Sequence, residues 1–187
     1  GLIRPLLNVY PLELGATEAQ QITLTQIVQL PATIKILFGF ISDNYPILGY
    51  RRKPYMLMGW MLASGIILVL LLSSNLSMSY DDDCLPIPPV DAPSLQWLGI
   101  CFFIFGIGMW LADVMADSLV AEKARLEPLA IRGSLQSTCY ACRFFGIAVA
   151  APVSTFLYGS TYGPVSIVTL IFSIPLIMPL LLYMLQE

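Results

Sequence analysis

The sequence predicts an all-α membrane protein, and its composition, its hydropathy and the spacing of its apolar stretches all indicate this class. Hydrophobic residues make up 57% of the chain, charged residues make up 11%, and the mean hydropathy is +0.78. A soluble domain carries about 25% charged residues, so this chain has too few for a water-exposed surface. Long apolar stretches, each close to the ~20 residues that cross a bilayer as a helix, follow one another at 20–42, 55–74, 95–121, 136–158 and 164–185.

The first residues predict one further, incomplete span. Residues 1–10 have the character of a helix end, and Pro11 and Gly15 suit the turn after it. We therefore expect residues 1–187 to form a single transmembrane domain, one six-span half with its first span truncated and a carboxy-terminal half absent. A soluble protein with a wholly buried core is the alternative, but five such stretches cannot all be interior in 187 residues.

The loops between the apolar stretches alternate in charge. Loops 43–54 and 122–133 are rich in Lys and Arg, whereas loop 75–94 has aspartates but no cation, and turn 159–164 has no charge. The positive-inside rule therefore predicts that the two cationic loops face the cytosol or an equivalent compartment. Either a plasma membrane or a plastid membrane fits this pattern. The cations are Arg51, Arg52, Lys53, Lys123, Arg125 and Arg132.

The first cationic loop resembles a known signature. Its residues follow the pattern G-x-x-x-D-[RK]-x-G-x-[RK]-[RK], found between the second and third spans of the major facilitator superfamily. Asn44 stands where that pattern has a cation, and extra residues precede the second glycine. A basic loop that only sets topology is the alternative. We expect a conformational or gating role for five residues of this region: Gly39, Asp43, Gly49, Arg51 and Arg52.

Three blocks of sequence resemble the folate–biopterin transporter family, a branch of the same superfamily. They are ATIKILFGFISDNYPILGYRRKPYMLMG at 32–59, LADVMADSLVAEKAR at 111–125 and RGSLQSTCYACRFFGIAVA at 132–150. The resemblance covers the chain nearly end to end, as the amino-terminal half of a twelve-span transporter. It implies a major-facilitator-like helical bundle, with a folate or pterin as the solute.

Lys35 is the first candidate for a functional site within a span. An ionisable residue in the membrane is costly unless it is paired or hydrated, and is a functional hypothesis by default. Its segment is also polar, since Gln26, Gln29 and Thr33 share one helical face, and Pro31 is expected to bend the span. We expect this face to line a cavity or a polar helix interface, and we expect Gln29 on it to bind substrate or to take part in proton coupling. A snorkelling lysine or a structural ion pair is the alternative.

Two acids and an arginine complete the candidate site. Asp113 and Asp117 are four residues apart, so both carboxylates lie on one helical face. Arg143, about two turns into segment 136–158, is the expected counter-charge, with Lys35 as the other. The resemblance implies that these acids and cations handle substrate or protons. The alternative is a structural cluster of Asp117, Glu122 and Arg143 that closes the cytosolic side.

These observations predict a transporter rather than an enzyme. We expect an anionic folate- or pteridine-type solute to move by alternating access with proton coupling. Lys35 and Arg143 would bind its carboxylates. Asp113 and Asp117 would bind its pteridine edge or carry a proton. The chain has no His, and we expect no metal, cofactor or nucleic acid. Expected partners are the bilayer, the solute and the protein's own carboxy-terminal half. The alternative function is a non-transporting, transporter-derived structural subunit of a larger membrane complex.

Overall fold

A computed structural model describes residues 2–47, 49–81, 85–160 and 163–184, with side chains given for these ranges except at 176 and 178–184. Several expectations made from the sequence concern residues outside these ranges. They include part of the aspartate run in loop 75–94, part of turn 159–164 and the end of the last apolar stretch. The residues concerned are Gly1, Asp82, Asp83, Cys84, Thr161, Tyr162 and 185–187.

The described residues are mostly helical. Helix bounds agree with the predicted apolar stretches to within a few residues, and a hairpin of two-residue strands lies in the loop before the longest helix. The elements are α1 (Arg4–Asn8), α2 (Tyr10–Glu13), α3 (Glu18–Gln29), a 3₁₀ turn (Leu30–Ile34), α4 (Lys35–Asn44), α5 (Lys53–Ser73), β1 (Ser79–Tyr80), β2 (Pro86–Ile87), α6 (Leu95–Arg125), a 3₁₀ turn (Leu129–Ile131), α7 (Ser134–Tyr158) and α8 (Gly163–Met184).

Local sequence accounts for where α3 and α6 begin. The Thr17 hydroxyl accepts from the Gln20 amide, while the Gln20 side chain accepts from the Thr17 amide, so a capping box starts α3. The Ser94 hydroxyl accepts from the Trp97 amide and starts α6. These caps satisfy backbone N–H groups that have no partner within the helix.

The second apolar stretch is a helix with a break in its middle. α3 and α4 are separated by the 3₁₀ turn Leu30–Ile34, which contains Pro31. Proline has no N–H to donate and its ring crowds the preceding turn, so it weakens a regular α-helix at this position. The predicted bend at Pro31 is therefore present, and α4 begins at Lys35 directly after it.

Small residues bring three of the helices into close contact. A Cβ added to Gly59 would lie 2.6 Å from the Gly108 carbonyl oxygen, and a Cβ added to Gly108 would lie 2.6 Å from that of Gly59. α5 and α6 therefore touch backbone to backbone, as small residues permit. Not every glycine in these helices marks such a contact, because a Cβ added to Gly39, Gly65 or Gly146 would meet nothing within 4 Å among the described residues.

The core is built from α1, α3, α5, α6 and α8, whereas α7 lies at its margin. Fully buried side chains of the core include Leu6, Ile67, Phe102 and Val168. On α7 the one buried residue of the described structure is Ser154, and Phe156 is 80% exposed. An apolar helix exposed in this way requires lipid or further helices around it.

Length and hydropathy identify four described segments as able to cross a bilayer. They are Glu18–Asn44, Lys53–Ser73, Leu95–Arg125 and Leu129–Tyr158, and Gly163–Pro175 is a shorter apolar helix. The prediction of an all-α membrane protein is confirmed. The division into six spans with a truncated first one remains a prediction.

Candidate functional site

Four charged side chains from three segments meet within the membrane-spanning region. Asp113 is at the centre: its Oδ2 lies 3.4 Å from Lys35 Nζ, and its Oδ1 accepts a hydrogen bond from Arg143 Nη2. The same Arg143 nitrogen lies 3.5 Å from Asp117 Oδ1. We call Lys35, Asp113, Asp117 and Arg143 the charge cluster. The formal charges within it cancel, which lowers the cost of holding ions at this depth.

Each element presents its member of the charge cluster for a local reason. Lys35 follows the helix break directly, so the break sets the direction in which its long side chain leaves α4. Asp113 and Asp117 are one turn apart on α6, so both carboxylates lie on the same face of that helix. Asp113 contacts Lys35, and Asp117 contacts Arg143. Arg143 lies in the first half of α7, the helix at the margin of the core.

The charge cluster is open to its surroundings. The exposed fractions of the side chains are 38% for Lys35, 21% for Asp113, 36% for Arg143 and 42% for Asp117. A cavity of about 200 Å³ between α6 and α7 is lined by Asp117, Arg143, Gln136 and Tyr140 among others. The four side chains are therefore partly exposed on this chain, rather than sealed in its apolar core.

Gln29 lies apart from the charge cluster. It is the last residue of α3, before the break, and its side chain is exposed, as are those of Gln26 and Thr33. The predicted polar face is therefore present on the surface of the broken helix, but no described contact joins Gln29 to the four charged residues. Its role as a substrate contact remains a prediction.

Arg52 is the centre of the first cationic loop. It precedes α5, with its Nη2 3.7 Å from Asp43 Oδ1, and its Nη1 donates to Glu122 and, at 3.0 Å, to the Ser118 carbonyl. The loop is thus joined to the end of α6. Glu122 pairs here with Arg52, so only the Asp117–Arg143 part of the alternative structural cluster is present. Arg51 is exposed.

Gly49 gives the loop a backbone conformation that suits glycine. Its φ is +81°, a left-handed value that other residues adopt at a cost. Gly49, Arg52 and Glu122 also line a cavity of about 290 Å³ at the end of the bundle. The structure therefore joins Asp43, Gly49 and Arg52 in one region, whereas Gly39 has open space beside it. The gating role of all five residues remains a prediction.

Trp110 is a member of the site that the sequence analysis missed. Its indole ring lies under Lys35 Nζ, 4.0 Å from the ring centroid, and its Nε1–H donates to the Val28 carbonyl at 3.1 Å. The available signal was spacing, since Trp110 is three residues before Asp113 and shares its helical face. An aromatic residue in a long apolar run does not stand out from its neighbours.

Glu13 is the centre of a second polar cluster, formed with two tyrosines. Its Oε1 accepts from the Tyr80 hydroxyl at 3.0 Å, and its Oε2 accepts from the Tyr158 hydroxyl. Partial burial raises the pKa of Tyr80, and the hydrogen bond to Glu13 and the charge of Glu13 raise it further. These contacts join α2, β1 and α7. Because the residues that form them are far apart in the sequence, the sequence pattern did not predict the contacts.

The long apolar helices and the ions held within them define an integral, multi-pass membrane protein. Comparison with known proteins gives the family. The chain belongs to the BT1 family, whose profile matches residues 7–187. The resemblance to folate–biopterin transporters is thereby confirmed.

Named relatives agree with this family. The chain is 32% identical over 140 residues to the probable folate-biopterin transporter 4 of Arabidopsis thaliana, covering 75% of this chain and 25% of that protein. It is 29% identical over 143 residues to the folate-biopterin transporter of Synechocystis, covering 76% and 25%. It is 30% identical over 132 residues to folate transporter 1 of Plasmodium falciparum, covering 70% and 22%.

These names describe transporters and not enzymes, as the sequence analysis expected. The chain spans about a quarter of the length of the curated relatives that it matches. No solved structure matches the chain significantly.

Proposed function

We propose that this chain is part of a carrier that moves folate- or pteridine-type anionic solutes across a membrane by alternating access. The observation that carries the proposal is the charge cluster, in which Asp113 holds two cations that remain partly exposed. Membership of the BT1 family supports the solute class. A structural protein would gain little from placing exchangeable ions in its spans, because apolar side chains would fill the same space at lower cost.

Lys35 and Arg143 are the proposed contacts for the carboxylates of the solute. In the structure both bind Asp113, which is itself a carboxylate. A solute carboxylate can therefore take the place of Asp113 without leaving either cation unpaired. This exchange avoids the several kcal/mol that an unpaired ion costs at this depth, provided that the displaced Asp113 takes up a proton.

Asp113 and Asp117 are the proposed proton-coupling pair. Protonation of Asp113 would remove its charge and release Lys35 and Arg143 to bind a solute. Asp117, 3.5 Å from Arg143, can then share that cation or bind the pteridine edge. Proton uptake and solute binding are linked in this scheme because they act on the same three charges.

The loop 43–54 is the proposed gate, and Gln29 a proposed contact along the solute path. Arg52 links Asp43 to the end of α6, so opening this side requires those ion pairs to separate. Gly39, Gly49 and Arg51 belong to the same proposed unit. A carboxy-terminal half would cover the exposed faces of α4 and α7 and complete the cavity.

Uptake of labelled folate by the full-length gene product tests the proposal. It is expressed in cells that lack folate uptake, and biopterin is added as a competitor. We expect saturable folate uptake that biopterin reduces and that an imposed proton gradient accelerates. Normal insertion with no uptake above empty-vector cells, together with copurification in a stable complex, would instead support the structural-subunit alternative.

Labelling from the two sides of the membrane tests the proposed orientation. Single cysteines at Ser79 and Arg125, both exposed, are introduced into a chain without its native cysteines. A membrane-impermeant thiol reagent should label Ser79→Cys from the non-cytosolic side and Arg125→Cys from the cytosolic side. Labelling of both from one side would overturn the orientation and the span assignment.

A further inference from the structure

Trp110 completes the backbone hydrogen bonding at the helix break. Val28 lies in the last turn of α3, where carbonyls have no regular partner within the helix, and Pro31 just beyond it has no N–H to donate. The Trp110 indole donates to that carbonyl at 3.1 Å. It thereby gives this carbonyl a hydrogen-bond partner from α6 at the point where α3 ends.

Gly106 makes this contact possible from one turn earlier on α6. A Cβ at Gly106 would lie 2.5 Å from the Val28 carbonyl oxygen and 3.3 Å from the Val28 Cα. Only glycine leaves room for α3 to approach so closely. Gly106 and Trp110 therefore fix the place of the break against α6, and with it the position at which α4 begins.

The ring face of Trp110 then supports the first residue of α4. Lys35 Nζ lies 4.0 Å from the ring centroid, within the range of a cation–π interaction, and 3.4 Å from Asp113 Oδ2. Both supports come from α6, three residues apart. The Lys35 side chain is 38% exposed, so the ammonium keeps an open side toward a solute.

We propose that Trp110 is the residue that positions the Lys35 ammonium and thereby sets the preference for carboxylate-bearing over uncharged pteridines. The inference rests on the proposed transport function and adds a specificity determinant to it. A lysine side chain has large rotamer freedom, which binding must restrict. A ring that already holds the ammonium in place reduces that cost for a solute carboxylate, whereas an uncharged solute gains little from it.

The test compares two probes in the full-length protein: folate, which carries carboxylates, and biopterin, which has none. In Trp110→Leu we expect the KM for folate to rise about tenfold and the KM for biopterin to change less than about twofold, as loss of one cation–π contact implies. In Trp110→Phe, which keeps a ring face, the folate KM should stay within about threefold of the wild type.

A double-mutant cycle with Lys35→Met separates positioning from general support of the fold. In that background Trp110→Leu should raise the folate KM less than about twofold, because the group that it positions is gone. Trp97→Leu is the matched control: this residue is also on α6, and its indole Nε1–H donates to Ser73 Oγ at 3.2 Å, far from Lys35. It should leave the ratio of the two KM values unchanged.

Each alternative result overturns the inference in a recognisable way. An equal loss for folate and biopterin, a loss that persists in Lys35→Met, or a Trp110→Phe variant as impaired as Trp110→Leu would each assign Trp110 to structural support. If Trp110→Leu fails to reach the membrane, Trp110→Met fills a similar volume and replaces it in the cycle. Absence of uptake of both probes by the wild type would overturn the proposed function itself.

Discussion

Two carboxylates, Asp113 and Glu13, each join segments that are distant in the chain, but the partners that stabilise their charges differ in chemistry. Asp113 is held by the cations Lys35 and Arg143, well inside the spans. Glu13 is held by the hydroxyls of Tyr80 and Tyr158, at the end of the bundle beside loop 75–94. A carboxylate among cations can be exchanged for another anion, whereas one among neutral hydroxyls holds the segments together without offering a site for an anion.

The comparison leads to an expectation for each acid. Loss of the charge at Asp113 should affect function more than stability, because its partners are the proposed contacts for the solute. Loss of the charge at Glu13 should affect stability more than function, because its partners belong to α7 and the hairpin strand β1. Arg52 is intermediate, since it joins a loop to a helix end through ions that are themselves exposed.

The largest expected effect is on Asp113→Asn. The amide keeps the shape of the side chain but removes the charge that balances Lys35 and Arg143, and it cannot carry the proton. We expect folate uptake to fall about 100-fold, the equivalent of about 3 kcal/mol. Insertion and abundance should be preserved, because both cations are partly exposed and Arg143 keeps Asp117 as a partner. Rates of uptake and surface abundance measured on the same cells check this.

Asp91→Asn in loop 75–94 is the matched control for that variant. It makes the same change of carboxylate to amide outside the spans and should leave uptake unchanged. Normal uptake by Asp113→Asn would remove Asp113 from the site. Loss of the folded protein would show instead that the charge cluster is structural, and the contrast with Glu13 would disappear.

The next effect concerns Arg52→Met. Arg52 is only 16% exposed, but its partners Asp43 and Glu122 are 57% and 61% exposed, so solvent screens the ion pairs. We expect a loss of about 2 kcal/mol, seen as a fall of about 4–8 °C in the apparent Tm of the purified protein. Arg51→Met, one residue earlier and exposed, should change Tm by less than about 1 °C. Equal effects of the two variants would show that loop charge, rather than the contacts of Arg52, matters.

Glu13→Gln should have a smaller effect, and on stability alone. Gln retains one carbonyl oxygen for one tyrosine and places an amide nitrogen against the other, and it removes the charge that strengthens both hydrogen bonds. We expect a loss of about 1.5 kcal/mol, or about 3–6 °C in Tm, with the KM for folate unchanged. A rise in KM or a loss of uptake at unchanged Tm would place Glu13 in the transport mechanism and remove its difference from Asp113.

The charge cluster could be predicted from the sequence largely because ions are rare in these spans. Asp113, Asp117, Arg143 and Lys35 stand out in apolar stretches, and an uncompensated charge there must find a partner. A bend at Pro31 is expected from the missing N–H of proline, although Pro152 lies inside α7 without ending that helix. A charge in an apolar stretch and a proline in a helix are both visible in the sequence of one segment. Neither requires the positions of the neighbouring helices to be known.

What the sequence could not supply depends on contacts between helices. Trp110 and the Glu13 cluster are made by neighbours in space that are separated by dozens of residues. Glycine shows the same limit, since Gly59 and Gly108 pack backbones together whereas Gly65 and Gly146 face open space. A glycine in an apolar run has the same local signature in either case, because only the position of the other helix distinguishes them.

The smallest expected effect, in Tyr80→Phe, separates the two contacts of Glu13 by their response to pH. The folded-state pKa of Tyr80 is raised above its ordinary value of 10.0, so its neutral hydroxyl donates to Glu13 at neutral pH. Because the folded-state pKa is raised, the contribution of this group to folding stability is complete below the unfolded-state pKa and is lost as the pH rises through the folded-state pKa.

We expect Tyr80→Phe to lower Tm by about 2–4 °C at pH 8, the effect of about 1 kcal/mol from one hydrogen bond. Above the raised pKa the wild type loses the same contact, so the difference in Tm between the two proteins should shrink. A difference that stays constant across this range would mean that packing of the Tyr80 ring, rather than its hydroxyl, stabilises this end of the bundle.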